Sequence, residues 1–216
     1  MKRYVKRVAV QIVPGSGGED PRDVLRTFIR KTDGNVAALQ NVTQVAWEDL
    51  RFPATVQRRH PINNEHPAFD TTTPGLLFRH TATDSVYMIA QLPHAWLEGS
   101  ALRPHVHWTK TDSEAGGVYW QLEYKWAAIG ATVDTNYTPI GSATPSVSDS
   151  DTANKHALTT LPQIVATGKK VSAMLLMKLS RVHDNSDDSY GNSARLMEFD
   201  IHYQVDSFGS PSEFEK

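Results

Sequence analysis

The 216-residue sequence contains no cysteine. Disulfide bonds and cysteine-ligated metal sites are therefore excluded, and the fold depends on packing alone. The sequence also lacks a strong charge of either sign, because 22 basic and 24 acidic residues leave a formal net charge of -2. This balance gives no overall attraction to nucleic acid or to an anionic membrane surface, so we expect neither a specific nucleic-acid partner nor a membrane partner.

Long apolar runs are missing as well. No stretch approaches the length that spans a membrane. Residues 5–13 are partly apolar, but Lys6, Arg7 and Gln11 interrupt them, unlike the unbroken apolar core of a signal peptide. We therefore expect a soluble product that is made and used without secretion by the general pathway.

The sequence does contain clear alternation of apolar and polar residues over 118–126 and again over 197–205. A period of two is the side-chain period of a β-strand, with one face toward a core and the other toward water or a partner. Two such segments far apart in the chain predict an antiparallel sheet. The residues predicted to face the core in the first segment are Val118, Trp120, Leu122, Tyr124 and Trp126.

Short apolar runs separated by Pro, Gly, Asn and Asp fill the rest of the chain after residue 46. The candidate strands are residues 76–78, 86–92, 105–109, 118–128, 164–166, 171–179 and 194–205. Many short strands without alternating helices predict a mainly β protein, an antiparallel β-sandwich of the jelly-roll kind. The strand at 171–179 is apolar on both faces, so we expect it to be central and covered on both sides.

Residues 1–46 differ in character and are predicted to form an N-terminal strand-and-helix arm, with residues 47–216 as the sandwich body. Asp20 and Pro21 are typical of a helix start. Apolar residues at helical spacing form narrow stripes that are too thin to make a core alone. The stripes pack either on another copy of the chain or on the sheet of the same chain. The resulting interface candidates are Val24, Leu25, Phe28, Ile29, Val36, Leu39, Val42 and Val45.

A pair of histidines, His105 and His107, lies on a predicted strand and resembles the first half of the cupin metal motif. Alternation places both imidazoles on one face, as metal ligation requires. However, Thr111 and Asp112 stand where the cupin glutamate belongs, and no second motif follows. Isolated candidates for a missing ligand are His183 and His202.

From these observations we predict no catalytic residue, no cofactor and no bound metal. A cupin-like metal-dependent enzyme or small-ligand binder that uses His105 and His107 remains the alternative.

Two further motifs are weaker. Asp184, Ser186 and Asp188 are spaced as in a calcium loop, but Arg195 replaces the glutamate that an EF-hand needs, so a polar hairpin loop is favoured. Trp96 and Trp108 could stack on sugars, although a place in the core or at a subunit interface is favoured.

Three blocks of the sequence, WEDLRFP at 47–53, PHAWLEGSALRPHVHW at 93–108 and VYWQLEYKW at 118–126, resemble small proteins encoded among the structural genes of tailed bacteriophages. The resemblance covers about residues 47–206. It implies a non-enzymatic virion component with a β-sandwich body, in a neck, collar, tail-fibre or capsid-decoration position. A host-glycan-binding module is a further alternative with the same fold.

The same resemblance implies where the protein is found and what it contacts. The expected partners are other phage virion proteins of the portal or neck, the tail or the capsid, with assembly in the bacterial host cytoplasm. Virion components sit on symmetric particles, so we expect a homo-oligomer, a trimer or a larger ring, that docks through the N-terminal arm.

Overall fold

The structure, a computed structural model, describes residues 46–59, 65–144 and 152–215. These residues belong to one compact unit. The predicted arm lies outside the described residues apart from Ala46, so the arm and its role stay predictions. The same holds for every interface candidate: Val24, Leu25, Phe28, Ile29, Val36, Leu39, Val42 and Val45.

The described residues form eleven β-strands. Their bounds are β1 (Ala46–Pro53), β2 (Arg58–Arg59), β3 (Ala68–Asp70), β4 (Gly75–Phe78), β5 (Asp84–Gln91), β6 (Arg103–Lys110), β7 (Val118–Ala127), β8 (Thr138–Thr144), β9 (His156–Thr160), β10 (Met174–Arg181) and β11 (Ala194–Val205). One 3-10 turn, Ala54–Val56, follows β1. Within the described ranges, no helix has the length and apolar character needed to cross a membrane.

The strands form two antiparallel sheets. Sheet A has the order β3-β4-β11-β6-β9, and β1 also pairs with β11. Sheet B has the order β2-β5-β10-β7-β8. The eight strands from β4 to β11 give β4-β11-β6-β9 in one sheet and β5-β10-β7-β8 in the other, which is the strand order of a jelly roll. The prediction of a mainly β, jelly-roll-like antiparallel sandwich is confirmed.

The core lies between the inner faces of the two sheets. In β7, Val118, Trp120 and Leu122 are fully buried and Tyr124 is nearly so, while Trp126 is partly buried against the core. The intervening polar residues face away from it. The predicted inward face of this strand is therefore confirmed, because a shift by one residue would have buried Glu123 and Lys125 instead.

Two predicted strands need correction. Residues 164–166 form no strand, since Ile164 makes only an isolated bridge to Leu102. The strand predicted at 171–179 begins only at Met174, because Ser172 has a φ of 64°, which extended backbone does not allow. It is the central strand of sheet B, as expected, but Leu176 on its outer face is only half-buried, so its second side is not fully covered.

Candidate functional site

Five polar side chains gather on the outer face of sheet A, and we call this group the histidine surface. Val106 and Trp108 of β6 point into the core, so alternation turns the residues between and before them outward. The pairing of β6 with β11 and β9 then brings side chains from three strands together. The members of the histidine surface are His105, His107, His156, Asp200 and His202.

Asp200 lies at the centre of the histidine surface. Its Oδ2 atom lies 3.3 Å from Nε2 of His107 and 3.3 Å from Nε2 of His202. Its Oδ1 atom lies 3.4 Å from Nδ1 of His105. His107 is in turn joined to His156 by a 2.8 Å hydrogen bond between Nδ1 and Nε2. One carboxylate is thus surrounded by three imidazoles.

Burial and charge act in opposite directions on these groups. Burial lowers the pKa of His105, and the neighbouring His202 lowers it further. The hydrogen bond with Asp200 raises the pKa of His107. Burial alone would raise the pKa of Asp200, but the hydrogen bond from His107 and the nearby imidazoles outweigh it and lower that pKa. The group therefore favours an ionised Asp200 beside a neutral His105.

The cupin interpretation is only partly matched by this arrangement. His105 and His107 share a face, as predicted, but the residues downstream of them turn elsewhere. Asp112 accepts hydrogen bonds from Tyr190 and Asn192 instead of approaching the histidines. Of the two isolated histidines, His202 lies with its ring centroid 4.2 Å from that of His105, whereas His183 contacts Thr83.

Asp200 and His156 are the members of the histidine surface that sequence reasoning missed. The signal was present, since Asp200 and His202 are two residues apart in a strand whose apolar positions are Phe199 and Ile201. The sequence does not reveal that β11 pairs with β6, and the pairing alone brings Asp200 opposite His105.

The tryptophans do not form an exposed shelf. Trp96, Trp108 and Trp120 are fully buried, so the prediction that Trp96 and Trp108 belong to the core or an interface rather than to a sugar site is confirmed. Trp47 is 42% exposed on the outer face of sheet A. The guanidinium carbon of Arg103 lies 4.4 Å from the centre of its ring.

The loop that resembled a calcium site is a structural loop. Asp188 forms a buried ion pair with Arg181, with 2.7 Å between Oδ1 and Nη2. Arg195 pairs with Asp70 at 2.6 Å. The loop is polar, as predicted, but it is not a hairpin, because it joins β10 of sheet B to β11 of sheet A and these two strands do not pair.

A second group of side chains lies on the outer face of sheet B, and we call it the tyrosine surface. Lys178 of β10 stands opposite Tyr87 of β5 and Glu123 of β7. The Lys178 Nζ atom lies 2.8 Å from Glu123 Oε2, and each of these side chains is 25% exposed. The members of the tyrosine surface are Tyr87, Glu123, Lys125, Tyr137, Leu176 and Lys178.

Tyr137 completes this surface just before β8. Its ring centre lies 4.5 Å from Nζ of Lys125. Partial burial raises the pKa of Tyr137, and the nearby Tyr87 and Glu123 raise it further. The two tyrosines therefore belong to one patch, with the Lys178–Glu123 ion pair beside them.

No protein-family model and no curated protein matches this chain. Several solved structures are similar to it at low identity, and three of them are described here. The CBM36-1 domain of a multidomain xylanase from the hindgut metagenome of Trinervitermes trinervoides has 8% identity and a TM-score of 0.40, over 71% of this chain and 96% of that one. TmCBM61, in complex with beta-1,4-galactotriose, has 11% identity and a TM-score of 0.31, over 74% and 88%.

The third similar structure contains the CBM22-1-GH10 modules of the Clostridium thermocellum xylanase 10B, complexed with xylohexaose. It has 12% identity and a TM-score of 0.34, and the match covers 77% of this chain and 27% of that one. At these scores the likeness extends to a general β-sandwich fold and carries no argument about function.

The prediction of a phage virion component is contradicted by these comparisons. The three structures named above are carbohydrate-binding modules or contain one, and no protein-family model, of a phage protein or of any other, matches. The virion, collar, tail and capsid interpretation is therefore withdrawn. Two of the three blocks contribute the core residues Trp96, Trp108 and Trp120, whereas Trp47 of the first block is exposed. The expected partners and location are tested by neither the structure nor the comparisons.

Proposed function

We propose that this protein is a non-enzymatic carbohydrate-binding module and that a neutral glycan lies across the tyrosine surface of sheet B. The observation that carries the proposal is the placement of Tyr87 and Tyr137 beside the solvent-accessible ion pair of Lys178 and Glu123 on an open sheet face. Aromatic rings and hydrogen-bonding groups are thus close together on one surface.

This combination suits the two-sided chemistry of a sugar ring. The C–H groups of a pyranose pack against the face of an aromatic side chain, which offers a large and rigid apolar area. The sugar hydroxyls donate to a carboxylate such as Glu123 and accept from an ammonium such as Lys178. Lys178 and Glu123 neutralise each other, so the surface has one net positive charge, that of Lys125 beside the Tyr137 ring. A single charge gives little attraction to an acidic polysaccharide, which supports a neutral glycan.

The presence of a single carboxylate on this surface supports glycan binding without hydrolysis. Hydrolysis of a glycosidic bond ordinarily uses a pair of carboxyl groups on either side of the bond. Among the described members of the tyrosine surface, Glu123 is the only carboxylate, and it is paired with Lys178. An open sheet face also leaves water in place, whereas active sites are usually concave.

Affinity electrophoresis tests the proposal directly. Soluble xylan and β-1,4-galactan are the first probes, because two of the similar structures contain xylohexaose and beta-1,4-galactotriose. We expect the wild-type protein to be retarded and the single variants Tyr87→Ala and Tyr137→Ala to lose about 5-fold in affinity, since a lost aromatic contact costs on the order of 1 kcal/mol.

Trp47→Ala is the matched control, because Trp47 is an exposed aromatic residue on the opposite sheet. It should be retarded as strongly as the wild type. A wild-type protein that is retarded by no member of a broad panel of neutral polysaccharides would contradict the proposal. Retardation that depends on Trp47 and not on the tyrosines would contradict the choice of surface.

A further inference from the structure

The histidine surface of sheet A has no part in the proposed glycan site, and its arrangement calls for a separate explanation. Three of its members, His105, Asp200 and His202, bring ligand atoms within 4.8 Å of one another. His105 lies on β6, and the other two lie on β11. The strand pairing that sets Asp200 opposite His105 therefore fixes the group on a rigid sheet.

Two of the atoms in this group are buried without a hydrogen bond. Among the residues that the structure describes, Nδ1 of His105 and Oδ1 of Asp200 have no hydrogen-bond partner, although the two residues are only 8% and 6% exposed. Buried polar atoms are almost always satisfied, so an exception indicates a missing water or ion. The two atoms face each other at 3.4 Å, beyond the usual range of an N–H···O hydrogen bond.

The separations instead fit atoms that share a metal ion. Donor atoms bound tetrahedrally at about 2.0–2.1 Å from Zn²⁺ lie about 3.3 Å from one another. The observed separations are 3.4 Å between Nδ1 of His105 and Oδ1 of Asp200 and 3.3 Å between Nε2 of His202 and Oδ2 of Asp200, so each imidazole faces one of the two oxygens of the carboxylate. We propose that His105, Asp200 and His202 bind one divalent transition-metal ion, with Zn²⁺ as the first candidate.

The choice of metal follows from the donor types. Two imidazole nitrogens with one carboxylate suit zinc and the other late first-row metals, whereas Ca²⁺ and Mg²⁺ take oxygen ligands almost exclusively. Zn²⁺ is the first candidate among these ions because its filled d shell imposes no coordination geometry of its own, so it readily takes four ligands in a tetrahedron. It also has no redox chemistry. Selectivity against Ca²⁺ is therefore part of the proposal.

Neighbouring residues would support the ligands. His107 hydrogen-bonds to Asp200 with 3.3 Å between Nε2 and Oδ2, which orients the carboxylate. Asp49 of β1 places Oδ1 3.2 Å from Nε2 of His202, the nitrogen that would bind the metal, so Asp49 is placed to act as a fourth donor. Such a site would join β1, β6 and β11 on one face.

This inference differs from the expectation drawn from the sequence. That expectation was no bound metal, because the cupin glutamate and the second cupin motif are missing. It considered His105 and His107 as the ligand pair. The structure brings together a different set of ligands, in which Asp200 and His202 come from the last strand. His107 is not a ligand in this set but orients the carboxylate of Asp200.

Titration of the chelator-stripped, full-length protein with ZnCl₂, followed by calorimetry, tests the site. We expect one Zn²⁺ per chain and no saturable binding of CaCl₂. Protein loaded with Co²⁺ in place of Zn²⁺ should show the visible absorption of a tetrahedral Co²⁺ complex. His202→Gln should lower the affinity for Zn²⁺ by more than about 100-fold, because the loss of even an orienting partner typically costs about 10–100-fold.

His183→Gln is the control, since His183 contacts Thr83 away from the histidine surface. It should bind Zn²⁺ as the wild type does. His202 is only half-buried, so its replacement should leave the fold intact, and circular dichroism checks this. The proposal is overturned if the wild type binds no Zn²⁺ in a 1:1 ratio, or if folded His202→Gln binds it as tightly as His183→Gln does. Glycan binding is unaffected in either case, because it belongs to the other sheet.

Discussion

Arg181 is the side chain that best illustrates the cost of burying charge in this protein. It is fully buried and donates to the carboxylate of Asp188 and to the backbone carbonyls of Phe78, Tyr190 and Asn192. The guanidinium thus ties the end of β10 to the loop that leads into β11. A buried charge with so many partners is tolerated only while those partners are present.

Removal of one member of this pair should be strongly destabilising. We expect Asp188→Ala to lower the free energy of unfolding by about 3–5 kcal/mol, because it leaves a buried guanidinium without its counter-charge. Glu198→Ala is the control, since Glu198 pairs with the 65% exposed side chain of Arg51, and such surface pairs contribute about 0–1 kcal/mol. Urea denaturation measures both. Equal, small losses would show that Arg181 does not depend on Asp188.

At the scale of the residue, the sequence predicts which side chains are able to bind a ligand better than it predicts which side chains contact one another. His105, His107 and His202 were recognised as possible ligands from their types and spacing. Asp200 was not, and neither was the pairing of Arg181 with Asp188, because both depend on contacts between distant parts of the chain. The tyrosine surface escaped notice for the same reason, since Tyr87 and Glu123 meet only through β10.

At the scale of the element, the alternation of apolar and polar residues predicted the strands whose inner faces carry large apolar side chains and missed the strands whose residues are mostly exposed. β7 and β11 carry large residues on the buried face and were predicted with nearly correct bounds. β1 was missed because Trp47, Glu48 and Asp49 interrupt the alternation, and they are all exposed. β9 was missed because it is short and its outer residues His156, Leu158 and Thr160 are exposed. Such strands are held by pairing, which periodicity does not reveal.

The two faces of β7 should respond very differently to truncation. Leu122→Ala should lower the free energy of unfolding by about 2–5 kcal/mol, because Leu122 is fully buried between the sheets. Gln121→Ala, on the outer face of the same strand, should change it by less than about 0.5 kcal/mol. Thermal unfolding followed by circular dichroism compares them. A Gln121 variant as unstable as the Leu122 variant would contradict the assigned faces.

At the scale of the whole molecule, composition and strand number were enough to predict the fold class. The jelly-roll order itself comes from pairings between remote strands, such as β4 with β11 and β5 with β10, which a single sequence does not encode in any local pattern. The function predicted from sequence was wrong because it came from three short blocks that resemble phage structural proteins, and such a resemblance does not determine what a β-sandwich binds.

The body should fold without the N-terminal region. The first described strand begins at Ala46, and the core consists of residues from Phe52 to Tyr203. We expect a fragment of residues 46–216 to keep the β-rich circular dichroism spectrum and a cooperative unfolding transition. A fragment that fails to fold would show that residues 1–45 contribute to the core. Light scattering on the two forms also tests the prediction, still open, that the arm drives oligomerisation.

The most direct test of the proposed function is a map of the glycan-binding surface. Electrophoresis first identifies a polysaccharide that retards the protein. An oligosaccharide of the same linkage is then titrated into ¹⁵N-labelled protein, and the changes in amide chemical shift give the map. Our account predicts saturable shifts confined to β5, β7 and β10 around Tyr87, Glu123 and Lys178, and to the segment around Tyr137. Shifts on β1, β6 and β11, or no saturable shifts with any neutral oligosaccharide, would contradict it.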